Sequence, residues 1–174
     1  MSLSLMILAA GVLLWTSERH AVVQDSISPS FSVIAFVSPS CPVSRVMTPK
    51  ILDLQRQFGP LVIWTFVIAE DDPDSVEISD YVDDFQITIP IVVDSGHDSV
   101  RKYSATTYPE VFVRTATGVV AYRGRVDDSF LTIGKRRTGV LHHSLKIALE
   151  ALRDGRQEYD SVTTPVGCMI ELRD

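Results

Sequence analysis

The side chains best suited to chemistry in this chain are its two cysteines, and their surroundings differ. Cys41 sits in Ser38-Pro39-Ser40-Cys41-Pro42-Val43-Ser44, between an apolar, β-rich run (Phe31 to Val37) and a stretch with helical spacing. A cysteine where a buried strand hands over to a helix meets unpaired backbone N–H groups and the positive end of the helix dipole. Both favour the thiolate and lower its pKa below the free value of about 8.5. Pro42 suits the first helical position, where its missing N–H costs nothing. A cysteine inside an apolar stripe would read as an inert core residue; Cys41 follows a strand end instead, which favours a reactive thiol. Cys168 lies far away in Pro165-Val166-Gly167-Cys168-Met169-Ile170.

Other polar residues offer less. His142 and His143 stand at the start of the last expected helix and read either as solvated helix-start residues or as a base or soft-metal ligand. Cysteine plus histidine without a third ligand makes a poor metal site, so no metal is expected. His97, after Ser95-Gly96, reads as a helix start, Asp71, Asp72 and Asp74 as a capping cluster, and Lys135, Arg136 and Arg137 as an exposed basic loop. A formal charge of −6 lacks the basic footprint that nucleic-acid binding requires. The chain contains no C-x-x-C-H haem motif, and no cofactor is expected.

These residues need elements to position them. With 174 residues, 45% of them apolar and 22% charged, one globular domain is the default. Residues 1–17 form an uncharged apolar run up to Trp15 and read as an export signal or membrane anchor, although the run is shorter than the roughly 20 residues that span a bilayer. This implies an extracytoplasmic, periplasmic location, with membrane contact through the N-terminus. Residues 18–30 read as a linker, 31–155 as the folded domain and 156–174 as an irregular tail carrying Cys168. Within the domain, strands are expected at Phe31–Val37, Leu61–Ala69, Thr88–Val93, Glu110–Arg114 and Val119–Val126, the last two forming a hairpin across Ala116-Thr117-Gly118. Helices are expected from Cys41 to Phe58, kinked at Pro49, then along Ile78, Tyr81, Val82 and Phe85, and from His97 to Ser104. A closing helix follows the stripe Leu141, Leu145, Ala148, Leu149, Leu152. The order β-α-β-α-β-α-β-β-α predicts an α/β fold of three layers around a mixed sheet.

That order, with a cysteine at the first helix and a proline before the hairpin, resembles the thioredoxin fold from about Phe31 to Gly155. The resemblance matches Cys41 to the attacking cysteine of C-x-x-C, with Ser44 in place of the second cysteine. A hydroxyl there can hydrogen-bond a thiolate but cannot resolve a mixed disulfide. Tyr108-Pro109-Glu110-Val111-Phe112 resembles the superfamily's cis-proline segment, which faces the cysteine and pairs with substrate backbone. Tyr122-Arg123-Gly124-Arg125-Val126-Asp127-Asp128, Gly134-Lys135 and the segment around Cys168 are similar to redoxin domains of extracytoplasmic bacterial proteins, in the alkyl hydroperoxide reductase and thiol-specific antioxidant class. The resemblance implies a substrate groove at Pro42, Tyr108, Asp127 and Asp128. Since many such domains are fused to cytochrome c-like or copper-binding modules, it also leaves room for a haem or copper protein as partner.

The function so implied is a thiol–disulfide oxidoreductase acting on protein thiols or disulfides, with Cys41 as nucleophile and Pro109 shaping the groove. A thiol peroxidase of the peroxiredoxin type is a rival. Its P-x-x-x-[TS]-x-x-C motif is met at Ser38 but not at Ile34, and no arginine stands near Tyr108-Pro109. A non-enzymatic copper-binding or cytochrome-docking module is another. Cys168 then has three readings: a distant resolving partner in a disulfide with Cys41, a packed free thiol anchoring the tail, or half of a disulfide with another protein. The first is sterically open, because thirteen residues from Gly155 reach roughly 43 Å when extended, against roughly 21 Å for a fourteen-residue closing helix. Gly167 would let the backbone pass close to another element.

Overall fold

In the computed structural model, which describes residues 29–70, 72–139 and 141–172, the chain enters the fold through β1 (Phe31–Phe36). Residues 1–17, expected as signal or anchor, and all but the end of the 18–30 linker lie outside the described residues. Among the described residues no helix is long and apolar enough to cross a membrane. Val33 to Phe36 are buried, as expected of an apolar run without alternation in a strand covered on both faces. α1 (Pro42–Phe58) follows and runs through Pro49 as one 17-residue helix, with Pro49 on its exposed side. Gly59, at φ +48°, ends it. The chain continues as β2 (Val62–Ile68), α2 (Ser75–Phe85), β3 (Ile91–Val93), α3 (Asp98–Tyr103), β4 (Thr107–Tyr108), β5 (Glu110–Thr115), β6 (Val120–Gly124), β7 (Phe130–Thr132), β8 (Lys135–Arg136), α4 (Ser144–Arg153) and β9 (Cys168–Met169). Asp74 caps α2, its carboxylate accepting the Val76 N–H at 2.8 Å.

The main sheet has five strands in the order β3-β2-β1-β5-β6, with β1, β2 and β3 parallel and the β5–β6 hairpin antiparallel to β1. On one face Phe36 and Phe112 meet at 5.7 Å between ring centroids, and Tyr103 of α3 packs edge-on against Phe36. Tyr122 lies opposite Val113 on the other face, the side on which Ser144 of α4 approaches it. α1 runs beside α4, with Arg153 over the Phe58 ring. Helices thus cover both faces of a mixed sheet: this is a thioredoxin-like α/β fold.

Several expectations for these elements are revised, most visibly at the third strand, the closing helix and the tail. The third strand starts at Ile91 rather than Thr88, because Pro90 has no N–H for the ladder and contributes only its carbonyl, which accepts the Phe66 N–H at 2.9 Å. The closing helix starts at Ser144, with His142, His143 and Leu141 before it, because His142 N–H donates to the Asp128 carboxylate at 2.7 Å and its carbonyl accepts the Asp128 N–H. The tail is not irregular. It pairs with β6, where Arg123 N–H donates to Ser161 O at 2.9 Å and Thr163 N–H to Arg123 O at 3.0 Å, and it returns as β9 against β4. Thr163 is buried, and its hydroxyl meets the Tyr122 hydroxyl at 2.7 Å; burial pushes the Tyr122 pKa up to about 12, against the opposing pull of that bond.

Gly124 makes this passage possible. It sits at φ +135°, and a Cβ there would overlap the Thr163 carbonyl. Gly124→Ala should therefore lose about 2 kcal/mol or more of stability. Urea unfolding measures this, and an unchanged midpoint would mean that the tail does not pack on β6.

Candidate active site

At the end of β1 the chain turns through Ser38-Pro39-Ser40, and Cys41 N–H closes the turn on Ser38 O at 3.2 Å. Cys41 is the N-cap of α1, with extended backbone (φ −81°, ψ 117°), and Pro42 occupies the first helical turn. Its carbonyl accepts the first helical bond, from Arg45 N–H at 3.0 Å. Cys41 is 2% exposed and its side chain makes no cap hydrogen bond to the first N–H groups of the helix. Ser44 is wholly buried. Its hydroxyl accepts Ser38 N–H at 3.2 Å, so in the disulfide state it braces the turn.

The opposite wall is the segment Thr106–Glu110. The Tyr108–Pro109 bond is cis, as the resemblance implies, and the Tyr108 carbonyl lies 3.2 Å from Cys41 Sγ. The Tyr108 hydroxyl donates to the Ala69 carbonyl, which His97 Nε2 also approaches at 3.1 Å. The Glu110 side chain, 1% exposed, accepts from Thr106 N–H at 2.8 Å and from Arg123 Nη2 at 2.7 Å. That carboxylate bends the loop back on itself and holds its two ends together.

Onto this wall the tail adds β9, with Cys168 opposite Tyr108 and Met169 opposite Thr107. Ile170 N–H donates to Thr106 O at 3.0 Å and the Ile170 side chain is buried. Gly167 lies so close that a Cβ would overlap the Tyr108 carbonyl. The result is a disulfide between Cys41 and Cys168, 127 residues apart in sequence with Cα atoms 6.0 Å apart. Of the three readings of Cys168, the structure takes the intramolecular one. A groove of about 400 Å³ opens beside it, lined by Ser38, Ser40, Ala69, Tyr108, Cys168 and Met169, with the carboxylates of Glu70, Asp72 and Glu171 on its rim.

Not every expected groove residue is here. Pro42, Tyr108, Pro109 and Cys168 gather around Cys41. Asp127 and Asp128 do not: Asp127 faces the middle of α1, where it pairs with Lys50 and accepts Ser129 N–H at 2.9 Å, and Asp128 pairs with Arg137 at 2.9 Å. The loop after β6 thus packs along the side of α1 instead of over its N-terminus. His142 bonds Ser144 Oγ at 3.1 Å through Nδ1, and His143 Nδ1 stands 3.9 Å from Asp127; neither lines the groove. Among the described residues no group of three or more His, Cys, Asp or Glu is placed to hold a metal ion. Sequence reasoning missed Glu110, Arg123 and His97 as supports. The signal for Glu110 was a lone acid in an otherwise apolar run, Tyr108 to Val113.

No sequence profile of a known protein family matches the chain, and no curated protein is similar to it. Solved structures do match in shape. An uncharacterized conserved protein from Geobacillus kaustophilus overlays 87% of this chain and 82% of its own at TM-score 0.73 and 21% identity. A hypothetical protein from Sinorhizobium meliloti overlays 83% and 80% at TM-score 0.71 and 19% identity. At these identities the likeness is one of fold.

Two outcomes follow from the buried carboxylates. Glu110→Ala should destabilise the protein by about 3 kcal/mol, the low end for breaking a buried pair because Arg123 keeps some contact with water; chemical denaturation checks it. Burial pushes Asp127 up, but Lys50 and the Ser129 hydroxyl and amide outweigh it and hold the carboxyl below its ordinary 3.8. Ionised Asp127 therefore favours the folded state. Its contribution is complete above pH 3.8 and fades as pH falls through the lower folded value. The stability gap between wild type and Asp127→Asn, followed by thermal melts, should be full at pH 7 and shrink on acidification.

Proposed function

We propose that the protein is an extracytoplasmic thiol–disulfide oxidoreductase whose redox centre is the Cys41–Cys168 pair. The carrying observation is that this disulfide sits at the N-cap of a long helix, against the cis-Pro109 loop and beside an open groove. A purely structural cross-link needs none of these. In the reduced protein the helix start favours a thiolate at Cys41. One of the two thiolates attacks a partner disulfide, giving a mixed disulfide and releasing the first partner thiol. The other then attacks the protein sulfur of that mixed disulfide, reforming Cys41–Cys168 and releasing the second partner thiol. Two electrons pass to the partner disulfide in each cycle. Ser44 has no part in electron transfer, because the second sulfur comes from the tail. Substrates are protein thiols or disulfides, and a disulfide made of a chain's only two cysteines belongs in an oxidising compartment. The apolar N-terminal run supports export and a membrane tether. A haem or copper protein as electron donor would fit such a setting. The domain reading is residues 31–155, with the tail as a functional part because it brings Cys168.

Insulin reduction driven by dithiothreitol tests this. Wild type should accelerate it, and Cys41→Ser and Cys168→Ser should each fall to about the uncatalysed rate, since neither can complete the exchange alone. Peroxide turnover that exceeds disulfide reduction would replace this reading with a thiol peroxidase.

A further inference from the structure

We infer that Cys168, not Cys41, is the sulfur that exchanges directly with the partner. The inference rests on the oxidoreductase reading and exchanges the two roles expected from the sequence.

Access is the first argument. Thiol–disulfide exchange requires the incoming thiolate to touch the sulfur it attacks. Cys41 is 2% exposed, enclosed by its own turn and by the Tyr108 carbonyl 3.2 Å from its Sγ. Cys168 is half-buried, lines the groove, and is followed by Met169 at 79% exposure. A thiolate in the groove therefore reaches Cys168 first.

The leaving group argues the same way. Attack at Cys168 expels Cys41 as a thiolate at the N-cap of a 17-residue helix, where unpaired N–H groups and the dipole receive the charge. Attack at Cys41 would expel a thiolate on Cys168, which belongs to the two-residue β9 and is not itself the cap of a helix. The better-stabilised thiolate leaves faster.

The steps balance. A partner thiolate attacks Cys168 Sγ, a partner–Cys168 disulfide forms, the Cys168–Cys41 bond breaks, and Cys41 keeps the electron pair. The partner's second thiolate then attacks the partner sulfur, forms the partner's own disulfide and releases Cys168 as a thiolate, which takes a proton from water. The partner dithiol is oxidised by two electrons and the protein disulfide is reduced by two. In reverse, Cys168 attacks the partner disulfide and Cys41 resolves the mixed intermediate.

The test uses the full-length, oxidised wild-type chain. It is exposed briefly to 2-mercaptoethanol, a neutral monothiol that the groove carboxylates do not repel, then quenched in acid, alkylated with N-ethylmaleimide and mapped by peptide mass spectrometry at several early times. The mercaptoethanol adduct should sit on Cys168 and the maleimide on Cys41, at least about tenfold over the reverse. Adducts mainly on Cys41, or shared equally, overturn the inference while leaving the oxidoreductase reading intact. A disulfide that no thiol opens in the folded protein overturns both.

Discussion

Tyr108 is the point at which three distant parts of the chain are made to meet. Its carbonyl stands against Cys41 at the start of α1, its strand position pairs with Cys168 from the tail, and its hydroxyl is tied to Ala69 at the end of β2. A disulfide requires its two Cα atoms within about 7 Å, a tolerance much finer than the path of a long tail. The β4–β9 pairing supplies that precision, and it can form only because Gly167 offers no side chain to collide with the Tyr108 carbonyl.

The loop that carries Tyr108 is in turn held by buried polar groups. Glu110 accepts from Thr106 and Arg123, Arg123 pairs with the tail at Ser161 and Thr163, and Ala69 O gathers the Tyr108 hydroxyl and His97. In a low-dielectric interior such groups are costly when unpaired and rigid when satisfied, so the same network fixes both walls of the groove and the path of the tail. Loop and tail therefore act as one structural unit, although some fifty residues separate them.

Placing the second cysteine on the tail gives the two sulfurs different surroundings. Cys41 is buried at the N-cap of α1, whereas Cys168 lines the open groove beside it.

Much of this was legible in the sequence, because it depended on local patterns. The alternation of strands and helices, the Asp74 cap, the Gly59 stop and Cys41 at the head of a helix follow from hydrophobic period and from the backbone preferences of proline, glycine and cysteine's neighbours. Thirteen residues after Gly155 showed only that Cys168 was able to reach Cys41, leaving a packed free thiol and an external disulfide open as well. Other features were decided by the tertiary structure alone. The loop holding Asp127 and Asp128 lies along α1 rather than over the groove, Ser44 braces its turn, and a tail that reads as irregular pairs with β6 and β4. Each depends on which surfaces meet across long sequence separation, where a two-residue strand or a single close-packed glycine carries no periodic signal. Local propensity places a cysteine at a helix start, but only the packing of distant segments decides which sulfur lies beside it.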